Sequence, residues 1–143
     1  MLKDCIEPYY LTQDYNCAET TLHIIDDQYG LGLAEEEFKL VGGFGAGFGC
    51  GITCGALAGG VAALGRLAIT GRAHVTEGFR DLCADYCAAF EKALGATDCS
   101  CIKEKHFAGP ETRCLTAIQA AADCFEDFAR QRGIPEKKRE GSH

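Results

Sequence analysis

Residues 43 to 60 read GFGAGFGCGITCGALAGG, and no charged residue occurs anywhere between Leu40 and Gly65. Such a run must be buried in protein or in lipid. As one helix it would measure about 39 Å, long enough to cross a bilayer. Its closely spaced glycines, however, sacrifice both helix propensity and apolar area, and no second span or aromatic belt accompanies it. The run therefore reads as a buried segment of a soluble domain, with no membrane insertion. Phosphate loops fail on the letters, since neither GxGxxG nor GxxxxGK followed by Ser or Thr occurs.

Small residues recur at a step of four: Gly43, Gly47, Gly51, Gly55, Gly59 and Ala63. Where the run is helical, that step makes one face on which another backbone or a bulky prosthetic group can approach closely. Gly51, Gly55 and Gly59 are the candidate positions against a bound group. The same face leads us to expect self-association into a small homo-oligomer.

A chain of 143 residues fits one domain and can bury a core without cross-links. Its ten cysteines are thus free for chemistry. The formal charge of −7 excludes nucleic-acid backbone binding, which needs a basic face. Met1-Leu2-Lys3-Asp4-Cys5 has no apolar run behind a basic stretch, so the expected location is the cytoplasm, where dense cysteines indicate metal ligation or thiol redox work before structural disulfides. Residues 1–135 read as a single cysteine-rich helical domain. Residues 136–143 read as a charged tail, with Lys137-Lys138-Arg139 a solvated end and Gly141-Ser142-His143 a tag remnant.

Along the chain, Asn16-Cys17-Ala18-Glu19 forms a capping box ahead of Leu22, Ile25 and Tyr29 at helical spacing, and Gly30 ends that helix. A shorter amphipathic piece runs from about Ala34 to Val41. Thr53 is read as the cap of a helix that begins at Cys54 and continues to Gly71. Thr76 to Leu94 and Thr112 to Gly133 make two further amphipathic helices, with residues 96–111 irregular between them. No stretch alternates like a strand. The expected class is all-α: a single-domain bundle of four or five helices, with the glycine-rich segment leading into a central helix.

Most of the candidate cysteines lie at loop-to-helix junctions. Cys54, flanked by glycine amides, stands where free N–H groups and the helix dipole stabilise a thiolate or a bridging sulfide, and Cys17 stands in the same kind of position. Cys17, Cys54, Cys99 and Cys114 are the candidate ligands, whereas Cys83, Cys87 and Cys124 fall on or beside packing faces as small hydrophobes. Asn16-Cys17-Ala18, Cys54-Gly55-Ala56 with Gly59, Thr97-Asp98-Cys99, and Cys114 followed by Ile118 together resemble the small bacterial CGAxxG four-cysteine family of redox-active proteins. The resemblance spans roughly residues 12 to 130 and implies a helical domain with a redox or metal-linked function. The chain adds Cys5, Cys50, Cys83, Cys87, Cys101 and Cys124 to that pattern, and Cys101 offers an alternative to Cys99.

Three functions follow from these residues. The first is an iron–sulfur protein of unspecified cluster type, ligated by Cys17, Cys54, Cys99 and Cys114 and serving a redox protein partner by electron transfer. A second cluster on Cys50, Cys83, Cys87 and Cys101 is a further possibility within it. The next is a cofactor-free thiol–disulfide oxidoreductase using Cys50 and Cys54, one helical turn apart if both are helical. The last is a zinc site of Cys99, Cys101, His106 and Cys114, set against a His106 that is simply hydrogen-bonded. Paired acids such as Asp26-Asp27 suit solvated helix faces, so a redox accessory is expected before a stand-alone enzyme.

Overall fold

The computed structural model describes residues 1–139, so Gly141-Ser142-His143 lie outside the described residues. Those described form six α-helices: α1 (Cys17–Tyr29), α2 (Glu35–Phe38), α3 (Gly55–Ala68), α4 (Phe79–Leu94), α5 (Cys99–His106) and α6 (Leu115–Gln131). A helical N-terminal segment of two tight turns, Leu2–Cys5 and Pro8–Thr12, precedes them. Among the described residues there is no strand, only one isolated antiparallel bridge between Thr53 and Asp98. The class is all-α, as the periodicity indicates, with one helix more than the four or five expected. No described helix is long and apolar enough to cross a membrane.

The α1 cap forms as its letters require. The Glu19 amide donates to Asn16 Oδ1 at 3.0 Å, and the Asn16 amide donates to Glu19 Oε1 at 3.1 Å. Gly30 ends the helix in the left-handed conformation at φ 63°. Nearly every side chain from Ala18 to Asp26 is buried, because α3 covers one side of α1 and the N-terminal segment another. α3 can come this close because its small face meets α1: a Cβ on Gly59 would lie 2.7 Å from the Ala18 carbonyl oxygen. The Gly55 and Gly59 part of that face is thus spent inside the molecule, against α1. α4 packs against α6 through Tyr86, whose ring sits 5.6 Å from Phe125 and 5.1 Å from Phe128, edge to face.

Three expectations need correction. Residues 99–106 are helical: the weak propensity of Cys-Ser-Cys is overridden because the bridge to Thr53 fixes the helix start and Ile102 is buried. α4 starts at Phe79, since the Thr76 hydroxyl is tied to the carbonyls of Thr70 and Arg72 and closes a loop there. The basic tail keeps Lys137 and Lys138 exposed, as expected, but it is anchored to the domain by its main chain and by Arg139. Lys137 and Arg139 donate their amides to the Gln28 and Asp27 carbonyls, both at 2.9 Å, and the Arg139 guanidinium lies 3.1 Å from the fully buried Asp26 carboxylate. Burial pushes the Asp26 carboxyl above its usual range, while the Leu33 amide and Arg139 oppose that rise.

His23 is buried between Tyr9 and Phe38, stacked at 4.6 and 3.7 Å, with Tyr15 tilted against it. Desolvation lowers its pKa to about 4, although the Asp27 carboxylate opposes the shift. Between about pH 6.5 and that value the unfolded chain binds a proton that the folded chain does not. Stability should therefore fall as pH falls through this window, by up to about 3 kcal/mol from this residue. Denaturant unfolding at pH 7 and pH 5 measures it. His23→Phe should flatten the slope, and an unchanged slope would show that other groups set it.

Candidate functional site

Four helices begin at the four singled-out cysteines. Cys17 is the first residue of α1 and Cys99 the first of α5, while Cys54 caps α3 and Cys114 caps α6. The first turn of a helix carries unpaired N–H groups and a partial positive charge of about +0.5. The thiols therefore stand where anions are stabilised, and the fold turns those four starts towards one another. Negative charge on Cys17 would act on Cys54 and Cys114, and charge on Cys99 would act on Cys17, Cys54 and Cys114.

The gathering is built by main-chain contacts. The Cys54 amide donates to the Thr97 carbonyl at 2.8 Å, and the Cys99 amide donates to the Ile52 carbonyl at 2.5 Å, so two cysteine-bearing turns are clamped side by side. Asn16 Nδ2 donates to the Gly42 carbonyl at 2.8 Å and ties the start of α1 to the glycine-rich segment. Gly55 faces the Cys17 sulfur so closely that a Cβ there would collide with it, and would also lie 3.0 Å from the Phe44 carbonyl oxygen.

Between these contacts the chain makes a left-handed turn at Ala46, Gly47, Phe48 and Gly49, with φ between 54° and 75°. For non-glycine residues this conformation costs on the order of 1–2 kcal/mol each. Gly47 is required twice over: its φ is positive, and a Cβ would come within 2.7 Å of Cys99 Cβ. The turn aims the Ala46 amide at the Cys17 sulfur. This donor was invisible in the sequence, because nothing in the letters announces a left-handed alanine.

Desolvation is the main influence on the site's acidity. It raises the Cys17 thiol despite the Ala46 amide. Burial and the charge of Cys17 push Cys54 up to about 11 against the amides of Ala56 and Leu57. Cys114 is raised by burial and by Cys17 and Cys99, with Lys103 and Arg113 opposing. At neutral pH these three are protonated thiols in a site whose geometry suits thiolates.

The chain matches the family model described as "Putative redox-active protein (C_GCAxxG_C_C)" over residues 15–128. It belongs to that family. The matched part of this C_GCAxxG_C_C chain holds all four helix starts and leaves out the N-terminal segment and the tail. No curated protein and no solved structure shows significant similarity to it.

The remaining candidates of the C_GCAxxG_C_C chain are dispersed. Cys50 is exposed, has non-helical backbone at φ −137°, and contacts the Gly47 carbonyl at 3.5 Å through its sulfur. The helical turn that would have joined it to Cys54 does not form, because the left-handed turn precedes it. Cys101 is exposed on α5, and Cys83 and Cys87 lie one turn apart on α4, where only Cys87 adds its charge to Cys83. His106 Nδ1 is 2.8 Å from the Thr116 hydroxyl and so is hydrogen-bonded outside the thiol group. Gly51 stands at φ 81° with a Cβ position 3.6 Å from Ser100, whereas Gly55 and Gly59 face Cys17 and Ala18 of α1. Among the described residues, no three His, Cys, Asp or Glu side chains are placed to share a single metal ion.

Gly55→Val should displace the Cys17 sulfur and disorder the site while the α4–α6 packing, remote from it, survives. Circular dichroism should retain most of the helix signal, and alkylation of Cys17 in the reduced protein should rise several-fold. Retained helicity with unaltered Cys17 labelling would show that the close approach is not needed.

Proposed function

We propose that Cys17, Cys54, Cys99 and Cys114 ligate one iron–sulfur cluster, and that the protein exchanges electrons with a redox protein partner. The observation that supports this reading is that four thiols at four separate helix starts are linked electrostatically through Cys17 and Cys99, each of which acts on Cys54 and on Cys114. The cluster, when bound, would supply one-electron chemistry. Everything else is work for the chain's own residues.

The Ala46 amide at Cys17 and the Ala56 and Leu57 amides at Cys54 would hold negative charge on sulfur and tune its basicity. Burial keeps water from the same atoms, which is why the free thiols hold their protons. On ligating a cluster the four thiols would give up their protons, and the stabilisation that the helix starts provide would then come into play.

Two observations favour a cluster over the other chemistries. In a [4Fe–4S] cluster each thiolate binds a different iron and stands farther from the others than ligands sharing one ion do, which is compatible with described thiols that do not form a single-ion shell. A dithiol enzyme needs an accessible thiolate near neutral pH, whereas Cys54 is buried with its thiol pushed up to about 11, and Cys50 is exposed on non-helical backbone.

Changing any one of Cys17, Cys54, Cys99 or Cys114 to Ser should abolish or strongly weaken the visible absorption and paramagnetic signal of anaerobically reconstituted protein. Serine oxygen is a harder, poorer ligand for this iron. Cys124→Ser should leave both signals unchanged. Equal signals in all five variants would refute the ligand set.

A further inference from the structure

Tyr10 lies in the N-terminal segment, outside the matched residues 15–128, yet it reaches the site. Its hydroxyl oxygen accepts a hydrogen bond from the Cys114 amide at 3.1 Å. Cys114 has no side-chain cap for α6, so this contact holds the residue on which the helix starts.

Tyr10 is itself locked. The Arg113 guanidinium lies over its ring at 4.2 Å from the centroid, and Arg113 Nη2 donates to the Tyr10 carbonyl at 2.7 Å. Arg113 Nη1 pairs with Asp14 at 2.9 Å. Arg113 and Asp14 both take left-handed backbone, at φ 49° and 61°, a conformation that non-glycine residues avoid unless tertiary contacts impose it. Two strained turns, one on each segment, are thus fastened together beside Cys114. Charge on Cys114 and Cys17 both reach the Tyr10 hydroxyl, which places it at the thiol group and not behind it.

We infer that Tyr10 is a positioning residue for the fourth thiol: by holding the Cys114 amide, and being held by Arg113, it fixes where the Cys114 sulfur stands relative to Cys17 and Cys99. Its effect on a cluster rests on the four-thiolate reading, whereas its effect on Cys114 itself does not. A residue that orients a ligand in this way changes metal affinity by about 10- to 100-fold when it is lost.

Tyr10→Phe keeps the ring under Arg113 and removes only the hydroxyl, so the full chain can be compared with little change in packing. In the metal-free, reduced protein, site-resolved alkylation at fixed pH should be several-fold faster at Cys114 and unchanged at Cys124. After anaerobic reconstitution with ferrous iron and sulfide, iron loss to a chelator should be at least tenfold faster than in the unsubstituted protein. Arg113→Lys, which loses the planar fork, should act in the same direction. Should Tyr10→Phe destabilise the fold, labelling would rise at Cys124 as well, and Arg113→Lys then decides. Unaltered Cys114 labelling in both variants would overturn the positioning role. If the unsubstituted protein takes up no cluster, the four-thiolate reading fails, and the labelling still decides the role of Tyr10.

Discussion

The approach of α3 to α1 is the contact on which the rest of the site depends. At Gly59 the two helices meet backbone to backbone, and at Gly55 the first turn of α3 meets the Cys17 sulfur. Because α1 and α3 begin at the same end of this contact, their two cysteines are brought together by the packing itself. The bridge from residues 52–54 to 97–99 then adds the start of α5, and the N-terminal segment adds that of α6. Each further thiol is attached to a pair that is already fixed.

Two opposing electrostatic effects meet at the gathered thiols. Burial and mutual repulsion disfavour thiolate, and the raised pKa values of Cys17, Cys54 and Cys114 show that they prevail while the thiols are free. Helix starts and the Ala46 amide act in the other direction, and their donors are fixed before any charge arrives. A site of this kind is a poor nucleophile, and its prearranged donors suit the ligand role proposed for it. Cys124 shows the contrast: its thiol is likewise pushed up to about 11, first by burial and then by Asp127, but it sits within α6 away from any helix start.

Legibility in the sequence followed the range of the interactions. The Asn16–Glu19 capping box and the Gly30 and Gly95 stops are local, and they formed where the letters put them. The packing of Gly59 on α1 matched the step of four, yet the same step misled between Gly43 and Gly51, where the chain turns left-handed and leaves Cys50 outside any α-helix. α5 was missed because its start is fixed by a bridge to residue 53, far away in sequence. Arg139 looked like part of a solvated tail because its buried partner, Asp26, looked like part of an exposed acidic pair. For the proposed site, three of the four cysteines were placed at loop-to-helix junctions from the sequence and the set of four from the family resemblance, and the structure puts all four at helix starts. Tyr10, Arg113 and the Ala46 amide could not be read in this way, since each acts through a contact that only the folded chain creates.

The central claim is that four helix starts gather four thiols around one centre. Iron K-edge X-ray absorption of the anaerobically reconstituted protein, with iron and sulfide counted on the same sample, tests it most directly. The account predicts that iron is retained together with sulfide, with sulfur alone in its first shell and a neighbouring iron in its second. Protein that retains no iron and instead carries a disulfide among Cys17, Cys54, Cys99 and Cys114 would contradict it.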